Sequence, residues 1–170
     1  MASTTNAHAA QDSTEHAASR APASSAPKAD TTFRNYNPAS AQAYLAHRKP
    51  YTDPFIKLVV SSHTSTGGAL GTLLDVGCGP GLSTLQLAPH FQHAIAADPG
   101  EAMIATARAI DPPLLSASGE KVHFEVSGAE DLASPDTGVS RVLAGLEGQA
   151  EGSVDLITAA TAAHWFNIAP

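Results

Sequence analysis

The chain has 170 residues, of which 43% are hydrophobic, and this is enough for one domain with a buried core. Its net charge is −7 and its 9 Lys and Arg residues form no cluster, which argues against nucleic-acid phosphates and anionic membrane surfaces as partners. A single cysteine cannot form an internal disulfide, and no apolar run is long enough to span a bilayer, so we expect a cytoplasmic protein.

The first 30 residues differ in composition from the rest of the chain. Residues 1–30 are rich in Ala, Ser and Thr and show no apolar periodicity. Such a segment cannot bury enough apolar surface to offset the entropy lost on ordering, so we predict a disordered tail. It also lacks the apolar centre of a secretory signal. Residues 31–170 are predicted to form the folded domain.

Aromatic and basic residues appear together in residues 33–51, directly after the tail. Asn37 followed by Pro38 is typical of a helix start and predicts a helix to about residue 47. Asp53 and Pro54 repeat the pattern and predict a second helix to about residue 62, with one apolar side.

A glycine-rich turn follows the first apolar run of the domain. Residues 72–76 are typical of a buried parallel strand. Gly77, Gly79 and Gly81 come next at alternate positions, and glycine lets a backbone turn sharply and approach a ligand closely. Residues 82–88 predict a helix whose N-terminus points at the same space. Strand, turn and helix together predict a binding site for a nucleotide-type cofactor.

Strand and helix patterns alternate after this turn, as a parallel sheet requires. Residues 94–98 predict a second strand, 122–126 a third and 154–158 a fourth. Residues 101–110 predict a helix, and 139–149 predict a weaker one that glycines interrupt. We therefore predict an α/β fold in which helices flank a parallel sheet.

The spacing of the glycines separates two classes of cofactor. A dinucleotide site carries G-x-G-x-x-G, whereas here the pattern is G-x-G-x-G followed by Leu82. Asp75, two residues before the first glycine, is expected to face the ligand with its negative charge. This favours a cationic ligand such as S-adenosylmethionine over a pyrophosphate. A nicotinamide-dependent oxidoreductase is the less favoured alternative.

The strand and glycine turn resemble motif I of the class I S-adenosylmethionine-dependent methyltransferases. The resemblance implies S-adenosylmethionine as the cofactor and a Rossmann-like sheet with strand order 3-2-1-4. Asp98, at the end of the second strand, would then accept hydrogen bonds from two ribose hydroxyls. The cofactor-binding residues that the resemblance implies are Asp75, Gly77, Gly79, Gly81, Asp98, Met103, Ala129 and Glu130.

The segment from Ala162 to Phe166 looks like the post-strand motif of the trans-aconitate methyltransferase-like branch. This implies methyl transfer to a carboxylate or hydroxyl of a small molecule. His164 is the one candidate general base, because histidine titrates near neutrality, and a structural or substrate-lining role is its alternative. Trp165 would lie along the cofactor or pack in the core. The histidines show no metal-ligand spacing, so no metal is predicted.

Tyr44, Arg48 and Tyr51 resemble the segment of that family that lies over the cofactor as a lid. Arg48 would also be able to pair with an anionic acceptor. The alternative is a surface helix that packs on the domain. Cys78 is interpreted as a small residue that fills the tight turn, since no partner base for a thiolate can be identified.

Compared with that family, we expect a chain truncated at its C-terminus, with about four of the usual seven strands. The strand at 154–158 would then be an edge, and an unpaired apolar edge favours pairing with a partner chain or self-association. A non-catalytic or partner-dependent S-adenosylmethionine-binding protein is therefore the main alternative to an enzyme.

Overall fold

The computed structural model describes residues 35–146 and 152–167. The predicted disordered tail, 1–30, lies outside these residues, as do residues 147–149 of the weak helix. The helices are α1 Pro38–His47, α2 Asp53–Ser65, α3 Leu82–Leu87, α4 Glu101–Arg108 and α5 Gly138–Gly145, and the strands are β1 Thr72–Val76, β2 His93–Asp98, β3 His123–Val126 and β4 Leu156–Thr158.

Four parallel strands form one sheet in the order β3-β2-β1-β4. Leu74 of β1 lies between Ile95 of β2 and Ile157 of β4. Every residue of β1 is buried, as expected of a central parallel strand covered on both faces. The prediction of an α/β fold with helices flanking a parallel sheet is confirmed, and so is the predicted strand order.

Side chains of β1 and β2 alternate between two cores because successive residues of a strand point to opposite faces. Leu73 packs on one face, together with Phe91 and with Ile104 of α4. Leu74 packs on the other face with Ile95 of β2 and Val139 of α5. Apolar packing on both faces of the sheet therefore fixes the positions of the carboxyl ends of the strands.

The helices begin where the sequence predicts. The Asn37 side chain accepts a hydrogen bond from the amide of Ser40 at 2.8 Å and caps α1. α2 runs to Ser65, about one turn beyond the predicted end, and the hydroxyls of Thr64 and Ser65 donate to the carbonyls of Val60 and Ser62. Apolar periodicity does not define a helix end to within a few residues.

β4 is the edge strand of the sheet among the described residues. It covers Leu156–Thr158, two residues fewer at its start than predicted, and the Ile157 side chain is 62% exposed. Asp155 precedes the strand, and its Oδ2 accepts a hydrogen bond from the amide of Thr72 at 2.7 Å. Within 35–146 and 152–167, no helix combines the length and apolar character needed to cross a bilayer.

Candidate functional site

The glycine turn between β1 and α3 lies at the carboxyl edge of the sheet. Gly77, Gly79 and Gly81 have φ of +67°, +56° and +92°, a region that glycine adopts without strain. The amides of Gly77 and Cys78 both donate to the carbonyl of Ala97, at 2.8 and 3.1 Å. These bonds fix the turn against the end of β2.

Gly77 and Gly79 are required for different reasons. A Cβ on Gly77 would lie 2.5 Å from the Cβ of Ala162, so this glycine lets the segment after β4 approach the turn. A Cβ on Gly79 would meet nothing within 4 Å. It would extend into open space at the end of the sheet, where a ligand can approach the backbone.

Asp75 is fully buried beneath the turn. Its Oδ2 accepts hydrogen bonds from the hydroxyls of Ser83 and Thr84, at 2.6 and 2.7 Å, and its Oδ1 accepts one from Thr158 at 2.8 Å. Burial raises the pKa of this carboxyl above its usual value, and the three hydroxyl contacts oppose that shift. The carboxylate thus joins β1, α3 and β4 beneath the turn and does not face the cleft, and a role in cofactor binding through the turn stays a prediction.

Asp98 ends β2 beside the glycine turn. Its Oδ2 accepts a hydrogen bond from the amide of Gly79 at 2.9 Å, and its Oδ1 accepts one from the amide of Gly100 at 2.7 Å. A carboxylate is a hydrogen-bond acceptor, the type of group that can bind ligand hydroxyls. Asp98 is buried, and it also lines the open space above the turn that is described next.

We call the open space above the turn the cleft. Its volume is about 990 Å³, part of which is open to solvent. Of the predicted site residues, the structure brings ten to the cleft: Tyr44, Arg48, Tyr51, Gly77, Gly79, Asp98, Met103, Ala129, Glu130 and Trp165. It does not bring Asp75, Gly81 or His164 to the lining.

Gly81 is buried at the end of the turn, where it forms the N-cap of α3. A Cβ there would lie 3.3 Å from the ring of Phe124 and 3.7 Å from the Cβ of Ala107. Gly81 therefore lets α3 pack closely against β3 and α4. Gly81 does not line the cleft, and its predicted contact with the cofactor stays a prediction beside this packing role.

The ends of α4 and β3 supply another part of the lining. Met103 of α4 is 2% exposed and reaches the cleft from the core. Ala129 and Glu130 begin a short 3₁₀ turn after β3. Glu130 is exposed, and its Oε1 accepts a hydrogen bond from the amide of Asn167 at 2.7 Å. This contact links the ends of β3 and β4 across the sheet.

The connection between α1 and α2 contributes Arg48, Lys49 and Tyr51 to the lining of the cleft, and its role as a lid stays a prediction. The Arg48 guanidinium lies 5.8 Å from the ring centroid of Tyr44. Gln86 of α3 fixes the next turn of chain: its Oε1 accepts from the amide of Tyr51 at 2.9 Å and its Nε2 donates to the Tyr51 carbonyl at 2.6 Å. The Tyr51 ring stacks on Phe55 of α2.

The segment after β4 completes the cleft. Thr161 has φ of +55°, which costs a non-glycine residue about 1–3 kcal/mol. Its hydroxyl accepts a hydrogen bond from Arg48 at 3.3 Å, so this segment contacts the lid directly. Trp165 lines the cleft with 39% of its surface exposed, and its ring lies 4.7 Å from that of His164.

His164 is exposed and lies outside the cleft lining. Its ring lies beside that of Trp165. The prediction of a general base at this position therefore has no geometric support. Among the described residues that line the cleft, none is a histidine.

Cys78 lines the cleft but is only 5% exposed. Burial raises the pKa of its thiol well above the usual value, and the carboxylates of Asp75 and Asp98 raise it further. Such a thiol stays protonated and is a poor nucleophile. The interpretation of Cys78 as a small residue that fills the turn fits this geometry.

Sequence reasoning missed three residues that organise the site: Ser83, Gln86 and Thr161. Ser83 lines the cleft and anchors Asp75, and its position two residues after Gly81 was an available signal. Gln86 and Thr161 gave no signal, because their partners, Tyr51 and Arg48, are 35 and 113 residues away in the chain. Within the described parts of the chain, no cluster of three His, Cys, Asp or Glu residues could hold a metal ion.

Comparison with known proteins assigns a family to this arrangement. A model of the methyltransferase domain family matches residues 73–169, which include the glycine turn, Asp98 and the segment after β4. A Dictyostelium discoideum protein with the provisional name of methyltransferase is 30% identical over 138 residues, covering 81% of this chain and 42% of that protein. The Saccharomyces cerevisiae protein CRG1, provisionally named an S-adenosylmethionine-dependent methyltransferase, is 29% identical over 146 residues, covering 81% of this chain and 40% of CRG1.

Among solved structures, a provisionally named type II methyltransferase from Anaeromyxobacter dehalogenans is similar, with a TM-score of 0.47 and 32% identity. The match covers 71% of this chain and 39% of that protein. The chain thus spans about two fifths of the length of the curated relatives described above.

The chain belongs to the methyltransferase domain family. The predicted cofactor, S-adenosylmethionine, is confirmed with it. The cleft fits this cofactor, because the space beside Gly79 admits a ligand close to the backbone and the Asp98 carboxylate lines the same space. Two acidic residues, Asp98 and Glu130, also give this part of the lining a charge that suits a sulfonium.

Proposed function

We propose that the chain transfers a methyl group from S-adenosylmethionine to a carboxylate or hydroxyl of a small molecule. The observation that carries this proposal is the cleft itself, where the open face of Gly79, the carboxylate of Asp98 and the buried Met103 meet at the carboxyl edge of the sheet. Ligands of open α/β sheets bind at this edge.

The residues of the cleft position the cofactor and the acceptor and do not themselves react with them. The cofactor supplies an activated methyl group, and the transfer is an in-line displacement that depends on distance and alignment. Asp98 holds the ribose, while the turn at Gly77 and Gly79 gives the ligand close approach to the backbone. The lid residues Tyr44 and Tyr51 exclude water from the reacting atoms.

The lining favours a carboxylate over a hydroxyl as acceptor. A carboxylate is ionised at neutral pH and needs no general base, whereas a hydroxyl does. None of the described lining residues is a histidine, and His164 lies outside the cleft. Glu130 is the exposed acid that would serve a hydroxyl acceptor, and its Oε1 accepts the amide of Asn167.

The domain bounds, the branch of the family, the cellular setting and the role of a partner chain are also part of this proposal. We propose a domain of residues 31–170 that is related to the trans-aconitate methyltransferase-like branch, on the basis of the Trp165 and Phe166 side chains in the lining. The proposed setting is the cytoplasm. Partner-dependent cofactor binding is the second candidate function, favoured by the 62% exposure of Ile157 on β4.

Calorimetric titration with S-adenosylhomocysteine, the demethylated product, tests the proposal. We expect a Kd on the order of micromolar, which corresponds to about −8 kcal/mol, and no binding of NAD. Asp98→Asn is the matched variant, since it keeps the side-chain size but removes the charge. We expect it to weaken binding by about tenfold, the equivalent of about 1.4 kcal/mol.

Mass spectrometry then separates the two candidate functions. Incubation with S-adenosylmethionine and a panel of carboxylic acids and alcohols should yield S-adenosylhomocysteine and a product heavier by one methylene unit. Binding of the cofactor without turnover, or turnover that appears only when a second chain is added, would favour the partner-dependent protein. Binding of NAD in place of S-adenosylhomocysteine would overturn both.

A further inference from the structure

We propose that Glu130 is a positioning residue, which holds the segment after β4 at the cleft through the backbone amide of Asn167. This inference rests on the proposed function, and it gives the Glu130 carboxylate a partner in the protein in place of one in the cofactor. The contact sets the position of Trp165, which lines the cleft. A direct contact between Glu130 and a ligand is the competing role.

The hydrogen bond between Glu130 and Asn167 crosses the sheet. β3 and β4 are the two outer strands of the described sheet, in the order β3-β2-β1-β4. Since neighbouring strands lie about 4.8 Å apart, the ends of these two strands are separated by about 14 Å. The Oε1 of Glu130 nevertheless accepts a hydrogen bond from the Asn167 amide at 2.7 Å. The segments after β3 and β4 therefore converge over the ends of β2 and β1, where the cleft lies.

The segment after β4 is anchored at both of its ends. At its start, Ala162 is buried against the glycine turn, where a Cβ on Gly77 would lie 2.5 Å from the Ala162 Cβ. The amide of Trp165 donates within the segment, to the Ala162 carbonyl at 2.9 Å. At its end, the Asn167 amide donates across the sheet to Glu130. The 3₁₀ turn that carries Trp165 thus lies between two fixed points.

Trp165 is the side chain whose position these two anchors decide. It lines the cleft although 39% of its surface is exposed. A partly exposed ring gains less free energy from packing than a buried one, so its position depends more on the backbone that carries it. Release of the Asn167 amide would let the 3₁₀ turn move away from the cleft and would expose the ring further.

A carboxylate suits the acceptor side of this contact. A hydrogen bond from a backbone amide to an ionised carboxylate is shorter and stronger than one between neutral groups. The distance of 2.7 Å lies at the short end of the range for N–H···O hydrogen bonds. Glutamine in place of Glu130 would keep an acceptor oxygen and lose the charge, so it should retain part of the positioning effect.

Two variants remove the contact from opposite sides. Glu130→Ala removes the acceptor, and Asn167→Pro removes the donor, because proline has no backbone N–H. Phe166, which would precede the proline, has φ of −75° and ψ of 142°, the extended conformation that favours a following proline. Asn167→Ala keeps the amide and is the matched control. Asp131→Asn, in an exposed acid of the same 3₁₀ turn as Glu130 but outside the cleft lining, controls for the lost charge.

Fluorescence of Trp165 tests the positioning without any ligand. Trp165 is the only tryptophan of the chain, so quenching of its emission by acrylamide reports on its exposure. We expect the quenching constant to rise about twofold for Glu130→Ala and Asn167→Pro, since an exposed contact that is lost frees the segment locally. Glu130→Gln should give a smaller rise, and the two controls should match the wild type. A role of Glu130 in ligand contact alone would leave the quenching unchanged.

Calorimetric titration with S-adenosylhomocysteine then measures the effect on the site. We expect the Kd to rise about 3- to 10-fold for both Glu130→Ala and Asn167→Pro, the effect of losing one hydrogen bond. The double variant should bind no more weakly than either single variant, because both changes remove the same contact.

The proposal is wrong if Glu130→Ala weakens binding and Asn167→Pro does not, because the carboxylate would then act on the ligand itself. Additive effects on the Kd, or quenching that neither variant changes, would overturn it too. Thermal melting identifies a variant that fails to fold, and if this is Asn167→Pro, the quenching of Glu130→Ala and Glu130→Gln carries the test. A wild type that does not bind S-adenosylhomocysteine would instead refute the proposed function, and the quenching of Trp165 would still decide the role of Glu130.

Discussion

The two walls of the cleft are built in different ways. The inner wall is the glycine turn with the ends of β1 and β2, and it is held by buried carboxylates and backbone amides. The outer wall is the connection between α1 and α2 with the segment after β4, and it is held by a few side-chain contacts such as those of Gln86 and Arg48. The inner wall is mostly buried, whereas Arg48, Thr161 and Trp165 of the outer wall are exposed.

This difference suggests a division of labour. A wall fixed by the fold keeps one geometry and suits a cofactor that is common to a whole family. A wall held by exposed contacts opens at a low free-energy cost and suits entry, closure and the choice of acceptor. The following predictions test this comparison by weakening one wall at a time.

The largest effect is expected from Asp75 in the inner wall. Asp75→Ala would leave the hydroxyls of Ser83, Thr84 and Thr158 without their acceptor and should lower the free energy of unfolding by about 4 kcal/mol, since each unmet buried group costs about 1–3 kcal/mol. Asp75→Asn is the matched control, because its amide still bonds to hydroxyls, and it should cost less. Chemical denaturation measures both. A loss below about 1 kcal/mol for Asp75→Ala would show that the inner wall does not depend on this carboxylate.

The pH dependence of stability gives a second measure of Asp75. Burial raises its folded-state pKa above the value of 3.8 usual for an aspartate, so the folded state keeps the proton between these two pKa values. The stabilisation that this proton gives the folded state is complete below the pKa of Asp75 in the unfolded state. It is lost as pH rises through the pKa of Asp75 in the folded state. The difference in unfolding free energy between the wild type and Asp75→Asn should therefore decrease with rising pH across this window and then level off. A difference in unfolding free energy that does not vary with pH would contradict the raised pKa of the buried Asp75 carboxyl.

A pair of glycine variants separates packing from ligand access within the inner wall. Gly77→Ala meets the Ala162 Cβ at 2.5 Å at a φ of +67°, and we expect a loss of about 3 kcal/mol from overpacking and strain together. Gly79→Ala meets no atom within 4 Å, so about 1 kcal/mol of strain is expected. Its affinity for S-adenosylhomocysteine should nevertheless fall by at least about tenfold, because the methyl group extends into the cleft. Equal losses of stability for the two variants would mean that their environments do not differ as described.

The smallest effect is expected in the outer wall. Gln86→Met removes both hydrogen bonds to the backbone of Tyr51 and should cost about 1 kcal/mol. Amide exchange of Tyr51 should become faster, while exchange of Gly77, whose amide bonds to Ala97, should not. Gln86→Glu, which keeps the acceptor for the Tyr51 amide and loses the donor, is the control. Faster exchange at both amides would show that the two walls open as one unit.

Local patterns predicted most of the inner wall. The glycine positions, the parallel strands and the acid that ends β2 are set by neighbours in sequence, and the structure places Gly77, Gly79 and Asp98 together. The outer wall was predicted less well. Tyr44, Arg48 and Tyr51 were named, but the contacts that hold them, to Thr161 and Gln86, join segments far apart in the chain.

His164 and Asp75 show where residue type alone misleads. A histidine after a strand end is a candidate general base or a structural residue, and a short 3₁₀ turn at Ala163–Trp165 leaves the His164 ring exposed beside Trp165. An acid before a glycine turn was expected to face the ligand. The strand instead directs the Asp75 side chain toward Ser83 and Thr84 of α3, where it is buried.

The sequence by itself determined the succession of strands and helices along the chain and the glycine turn, because these depend on periodicity and on residues close together in the chain. The family and the strand order of the sheet followed from the resemblance of these motifs to known methyltransferases. Only the tertiary structure decided which side chains reach the cleft. That choice depends on the face from which each strand end emerges and on contacts between distant segments, such as Arg48 with Thr161. Directions and distances of this kind exist only once the sheet has formed.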